Sequence, residues 1–324
     1  FTTQDLALSL DAFSDRILKP AVAAIANKID YDGLTMAKNS VANIVGTAGV
    51  PPTGLITYLT AQAYLDSEGA PRDGRRSIVI EPFTSATIVD SLKGLFVPAE
   101  TIGKQFTKGM MGRDSAGANW YMDQNVVTQT FGSYSGKTLS ADTTSASFGI
   151  ATGWAQTSTI TLTASSALTL NQGDVIQFAN VYGVNPQSRQ SYGKLRNFVV
   201  TATTAVGTGG TSVTVSPAII TGGQFQNVTV TATSASAVVT PFNNTGVASP
   251  QNLVFHKNFA TLATADLELP DGVHFAGRAS DKDLGLSIRV VRQYTINNDS
   301  IPTRLDVLYG WAPLYPELAC RVAA

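Results

Sequence analysis

Residues 9–29, SLDAFSDRILKPAVAAIANKI, form the best amphipathic helix in a chain otherwise made mostly of strands and turns. Leu10, Phe13, Ile17, Ala21, Ile25 and Ile29 recur every three or four positions, which sets them along one side of a helix of about 3.6 residues per turn. Ser9 is the expected N-cap, its hydroxyl accepting from an unpaired first-turn N–H, and Asp11 suits the positive end of the helix dipole. Pro20 falls in the middle of this stretch, where a helix loses about 3 kcal/mol or bends. A bend held by packing implies a helix laid along a larger sheet, and the rest of the chain has to supply that sheet.

Downstream, residues 31–52 read as a turn-rich connection, with Val41, Ile44 and Val45 set among the breakers Gly46, Gly49, Pro51 and Pro52. Thr53 opens a second helix to about Ser67, with Leu55, Leu59 and Ala63 on its inward face and Tyr58 and Leu65 flanking; Gly69 and Pro71 stop it. Residues 77–82, SIVIEP, are a short β-branched run of the kind buried in sheets, and a third helix follows from about Ser85 to Leu95, with Ile88, Leu92 and Leu95 inward. This order makes an α/β lobe. Strand patterning returns from Thr101 to Val127 around a glycine-marked hairpin at 108–117.

Composition shifts abruptly near Thr130. Between Thr138 and Pro250 the charged residues are Asp142, Asp174, Arg189, Lys194 and Arg196 alone, and Thr-aliphatic alternation takes their place. STITLTA (158–164), DVIQFANV (174–181), FVVTATT (198–204), TSVTVS (211–216) and NVTVTAT (227–233) each have period 2 and Gly, Pro or Asn at their ends. At least five antiparallel strands closing into a small barrel are expected, because closure hides edges that uncharged strands cannot protect. Charge returns after Pro250. Residues 284–296 and 303–311 then read as a long hairpin turned at Asn297–Ser300, and a last strand lies near Cys320.

Bulk properties exclude several classes. Lys and Arg number 22 against 23 Asp and Glu in 324 residues, so a formal charge of −1 gives no global attraction to nucleic acid or anionic membrane. No apolar run reaches the ~18 residues of a transmembrane helix. A single cysteine, Cys320, rules out an intrachain disulfide framework. The sequence starts at Phe1 without a methionine, and FTTQDLAL reads as the end of an element that begins upstream.

Catalytic, cofactor and metal sites find little support. FGSYSGKTL offers Gly132, Gly136, Lys137 and Thr138, but a phosphate-binding loop needs four residues between its glycines and this has three, which misaims the lysine. In GTAGVPPTG (46–54) Leu55 stands where that lysine would be. His256, His274 and Cys320 are too scattered for a metal site and read as structural. No G-x-S-x-G elbow occurs. Arg72, Arg75 and Arg76 read as a solvated turn, and the Asn227-Val-Thr and Asn298-Asp-Ser glycosylation patterns as chance. The expectation is no catalytic residues, no cofactor and no metal.

Four long blocks carry a resemblance: 8–30, 119–130 (NWYMDQNVVTQT), 173–202 (GDVIQFANVYGVNPQSRQSYGKLRNFVVTA) and 284–322. In order and extent they resemble the major capsid proteins of tailed bacteriophages, in the P22 coat-protein-like branch of the HK97 fold. The resemblance implies an α+β shell protein with a long spine helix on a β-sheet, an axial α/β lobe and an inserted β-barrel. Its domains would be 1–29 (peripheral, spine helix), 30–129 (axial), 130–250 (inserted barrel) and 251–324 (remaining axial strands and peripheral sheet), the family's N-terminal arm and E-loop being absent. It also implies pentamers and hexamers in an icosahedral virion shell, assembled in the bacterial cytoplasm with a scaffolding protein and a portal. A decoration or cement protein is a further partner class; DNA is enclosed without sequence-specific binding, and no membrane is involved. The rival reading is a β-rich phage tail or surface adhesion protein.

Overall fold

Helix α1 (Lys19–Ser40) is the first element of the computed structural model, which describes residues 19–91, 116–132, 134–144, 148–243, 246–280, 286–298 and 300–324. Ser9, Leu10, Phe13 and Ile17, the expected first turns, lie outside the described residues, as do Leu92, Leu95 and most of the hairpin expected at 108–117. The expectation of turns from residue 31 is corrected: residues 31–40 are helical. The breakers Gly46, Gly49, Pro51 and Pro52 all lie beyond the helix end, and within the helix the bare backbone of Gly33 makes room for a ring. A Cβ there would lie 2.8 Å from the Trp311 indole, whose Nε1 donates to Ile29 O at 2.8 Å.

The chain then forms β1 (Ile44–Gly46), α2 (Ile56–Ser67), β2 (Arg76–Ile80), α3 (Pro82–Ser91), β3 (Asn119–Met122) and β4 (Thr128–Thr130). In α2 the inward face is Tyr58, Ala61, Gln62 and Leu65, while Leu59 is 46% exposed. The expected face of Leu55, Leu59 and Ala63 is therefore rotated, because Gln62, polar in sequence, is buried and bonded. Its Nε2 donates to Ala116 O at 2.6 Å and its Oε1 accepts from Arg76.

Nine strands follow: β5 (Leu139–Ala141), β6 (Ser158–Ala164), β7 (Leu168–Leu170), β8 (Val175–Val184), β9 (Ser191–Val200), β10 (Thr204–Val206), β11 (Thr211–Ser216), β12 (Val228–Val230) and β13 (Ala237–Pro241). Antiparallel ladders run β8-β13-β5-β6-β11-β9, and β9 pairs back onto β8, so the sheet closes into a barrel with β12 added on β8. Alternation explains the closure: along β6, Ser158, Ile160, Leu162 and Ala164 are buried while the threonines between them are more open. Inside, Phe178 stands edge-on between Phe148 and Phe198 at 5.3 and 5.4 Å. Fully buried side chains of this kind contribute about 1.5–3 kcal/mol each, so an interior built almost wholly of them needs no charge.

After the barrel come β14 (Ala248–His256), β15 (Ala260–Ala265), β16 (Phe275–Ser280), β17 (Ser287–Arg292), β18 (Thr303–Pro313) and β19 (Ala319–Ala323). Strands β1-β19-β14-β2-β3 form a mixed sheet, with β4 pairing the start of β14, Thr130 opposite Ala248. Period 2 sorts the faces of this sheet. Val254, Cys320 and Val322 pack under α2 and α3 with Tyr58, Leu65 and Ile88, whereas Leu253 and Ala319 pack against Ala37 and Val41.

Two compact units result. One takes residues up to Gly33 with Thr261–Ala312, the other Leu34–Ala260 with Pro313–Ala324. Within the first, β15-β18-β17-β16 form a four-stranded sheet in which β16, β17 and β18 run antiparallel, as the expected 284–311 hairpin requires. Arg289 and Asp306 face each other across it with a 2.6 Å bond. Tyr309 OH donates to Asp32 of α1 at 2.7 Å.

Candidate functional site

The polar groups weighed in the sequence are mostly taken up by the fold. In the loop after β4, Gly132 N donates to Asp174, and Lys137 Nζ donates to Ala167 O at 2.6 Å, so the lysine is not aimed at a phosphate cradle. Asn227 holds a turn, its Oδ1 accepting from Ile220 N and its Nδ2 donating to Ala218 O. His256 is buried; its Nδ1 accepts from Asn258 N and its Nε2 faces Asp73 at 3.1 Å. His274 is exposed in the other unit. Cys320 is fully buried and burial pushes its thiol pKa up, the opposite of a reactive cysteine. Among the described residues no three His, Cys, Asp or Glu side chains stand together as metal ligands.

Of the arginine turn, Arg72 and Arg75 are solvated as expected, but Arg76 is 1% exposed, which corrects that reading. Its guanidinium donates to Asp66 and Ala70 O at 2.7 Å and to Gln62 and Pro71 O at 3.0 Å. Arg72 also binds Asp66 and is the largest influence holding its carboxyl below the ordinary range; burial opposes this and Arg76 adds to it.

Two buried clusters that sequence reasoning missed join the barrel to the α/β lobe. Asp174, at the foot of β8, accepts from Gln129 Nε2 (2.9 Å), Asn171 N (2.8 Å), Gly132 N (3.2 Å) and the Tyr134 hydroxyl. Burial raises its pKa against those donors. Arg321 of β19 donates to Gly173 O at 2.9 Å, and burial lowers its pKa to about 10 although Asp174 opposes this. At the other cluster, Arg196 of β9 pairs with Glu68 at the end of α2, both nearly sealed from solvent, and Tyr192 OH donates to the same carboxylate at 3.1 Å. The carboxylate holds the Arg196 pKa up although burial works to lower it. Removing one partner of such a pair leaves a stranded charge costing about 3–5 kcal/mol. The only hint in sequence was the rarity of charge: of five charged residues between 138 and 250, Asp174 and Arg196 are the two that are buried.

These clusters bind protein to protein. They place no nucleophile beside a general base, and they fix the barrel on the lobe. A comparison with known families identifies the chain as a structural phage coat protein. It belongs to the family described as P22 coat protein, gene protein 5, which matches residues 1–321. Among solved structures it is similar to a CUS-3 coat protein I-domain, 27% identical over 33% of this chain and 95% of that one, with a TM-score of 0.22. No curated protein matches the chain. Membership of that family makes the molecule a major capsid protein of the virion, working as oligomers in a shell, and gives the tail or adhesion reading no support.

Proposed function

We propose that the chain is the repeating unit of an icosahedral shell around double-stranded DNA. Pentamers and hexamers assemble in the host cytoplasm on a scaffolding protein around a portal, with a decoration or cement protein as a further outer partner. The observation that carries this is family membership along residues 1–321. In its finer parts the reading makes α1 and the stretch before it the spine helix of an HK97 fold; the Trp311 and Tyr309 bonds to α1 support this. Residues 130–250 are the inserted barrel, supported by the β4–β14 ladder that brings its two ends together. Residues 1–29 with part of 251–324 form the peripheral domain, and 30–129 with the rest the axial domain. The role is without catalysis, and a net charge of −1 suits a wall that must not grip the DNA it encloses. Co-expression with a scaffolding protein, followed by electron microscopy of sedimented particles, tests the reading. Closed shells are expected; a chain that stays monomeric beside its scaffold overturns it.

A further inference from the structure

The unit that holds the barrel carries a cleft of about 820 Å³ between barrel loops and the run Pro313–Leu318. Its walls are large apolar side chains left open to solvent: Trp154 is 72% exposed, Tyr315 55% and Leu314 54%. Each would contribute about 1.5–3 kcal/mol if fully covered, a gain the single subunit leaves unrealised. The floor is charged. Glu68 and Arg196 form their buried pair there, and Glu317 adds a second carboxyl, its pKa raised by burial and drawn back by the nearby Arg196. Arg196 also lines the cleft, and its Nε has no hydrogen-bond partner, so protein groups do not saturate the floor. Aromatic walls over a floor with one carboxylate in excess suit a cationic side chain, which is attracted by the carboxylate and by the ring faces.

The same chain carries the complementary group. On the β8–β9 hairpin, Arg189 at the tip and Lys194 within β9 are exposed, without an ion-pair partner among the described residues. The sequence has no acid between Asp174 and Asp266 to neutralise them locally. We propose that the cleft is a docking site between copies of this chain, in which the Arg189–Lys194 hairpin of one copy seats a basic side chain over Glu317 of another, beside Trp154 and Tyr315. The hairpin borders the cleft, with Val184, Pro186 and Arg196 in its lining, so tip and cleft share one face and two copies related by a two-fold axis each give and receive one contact. The inference rests on the shell reading above.

Its test uses the full chain co-expressed with a scaffolding protein, as Glu317→Lys, as Arg189→Glu with Lys194→Glu, as all three changes together, and as Trp154→Ser. Assembly is read by sedimentation and electron microscopy, and folding by the thermal midpoint of unassembled subunits. Either charge reversal is expected to lower the assembled fraction about tenfold, the scale of one partly desolvated ion pair, and the three together to restore it. Trp154→Ser should lower assembly with the midpoint unchanged. A triple variant no better than its parts, or variants that all assemble like the wild type, overturns the proposal. Should Glu317→Lys fail to fold, the hairpin reversal and Trp154→Ser decide, and wild-type assembly in both overturns it. A wild-type chain that forms no shell sinks the shell reading itself, so the two failures are distinct.

Discussion

Arg76 and Arg196 are buried guanidiniums answered by carboxylates and neutral acceptors in place of water, and each ties one segment of the chain to another. Asp66, which binds both Arg72 and Arg76, gives the clearest pH signature. Its folded pKa lies below the ordinary 3.8, so its contribution is present above that value and is lost as pH falls through the folded pKa. Denaturant midpoints measured from pH 5 downward should fall more steeply for the wild type than for Asp66→Asn. The variant should also lose about 1–3 kcal/mol at neutral pH, because Arg76 keeps its other acceptors but not its anion. Equal acid slopes for the two proteins would remove Asp66 from the account. None of this was legible in sequence, where a charge is by default read as solvated. The Glu68 that neutralises Arg196 stands 128 positions away, and no local pattern announces it.

Elements were legible in proportion to how far local alternation matched their final burial. In β6 and β11 the Thr-aliphatic period is also the burial period, and their limits agree with the sequence reading residue for residue. Short β5 and β13 escaped, because three to five residues carry too little alternation to stand out from a turn-rich background. In β8 the period breaks at Asn180, which adopts φ 65° where the register with β9 shifts, so the strand runs to Val184, past the expected end. The second half of α1 was missed for a different reason: the breakers Gly46, Gly49, Pro51 and Pro52 coloured the whole stretch from residue 31, while Gly33 within the helix serves as a seat for Trp311. Gly33→Ala tests this. Helix propensity alone favours alanine by about 1 kcal/mol. The indole must move, however, and its bond to Ile29 O is lost, for a net destabilisation of about 1–3 kcal/mol with a shift in tryptophan emission. A variant more stable than the wild type would mean the ring gives way freely.

For the whole molecule, the closed pairing of the barrel matters most, since among the described residues its apolar interior draws on residues 134–239. Residues 131–247 produced alone should give a β-type circular dichroism spectrum and one cooperative melt. The midpoint should lie below that of the full chain, because Gln129, Glu68 and Arg321 no longer answer Asp174, Arg196 and Gly173. A segment that stays unfolded would show that the lobe is needed to close the barrel. The ladder that sets Thr130 opposite Ala248 has a consequence for engineering. Strands paired at that point need only a tight turn to connect them, so the barrel is an exchangeable cassette. Another folded module whose termini lie a strand's width apart can be spliced there, turning each subunit into a display platform while the register of the sheet beneath stays as it is.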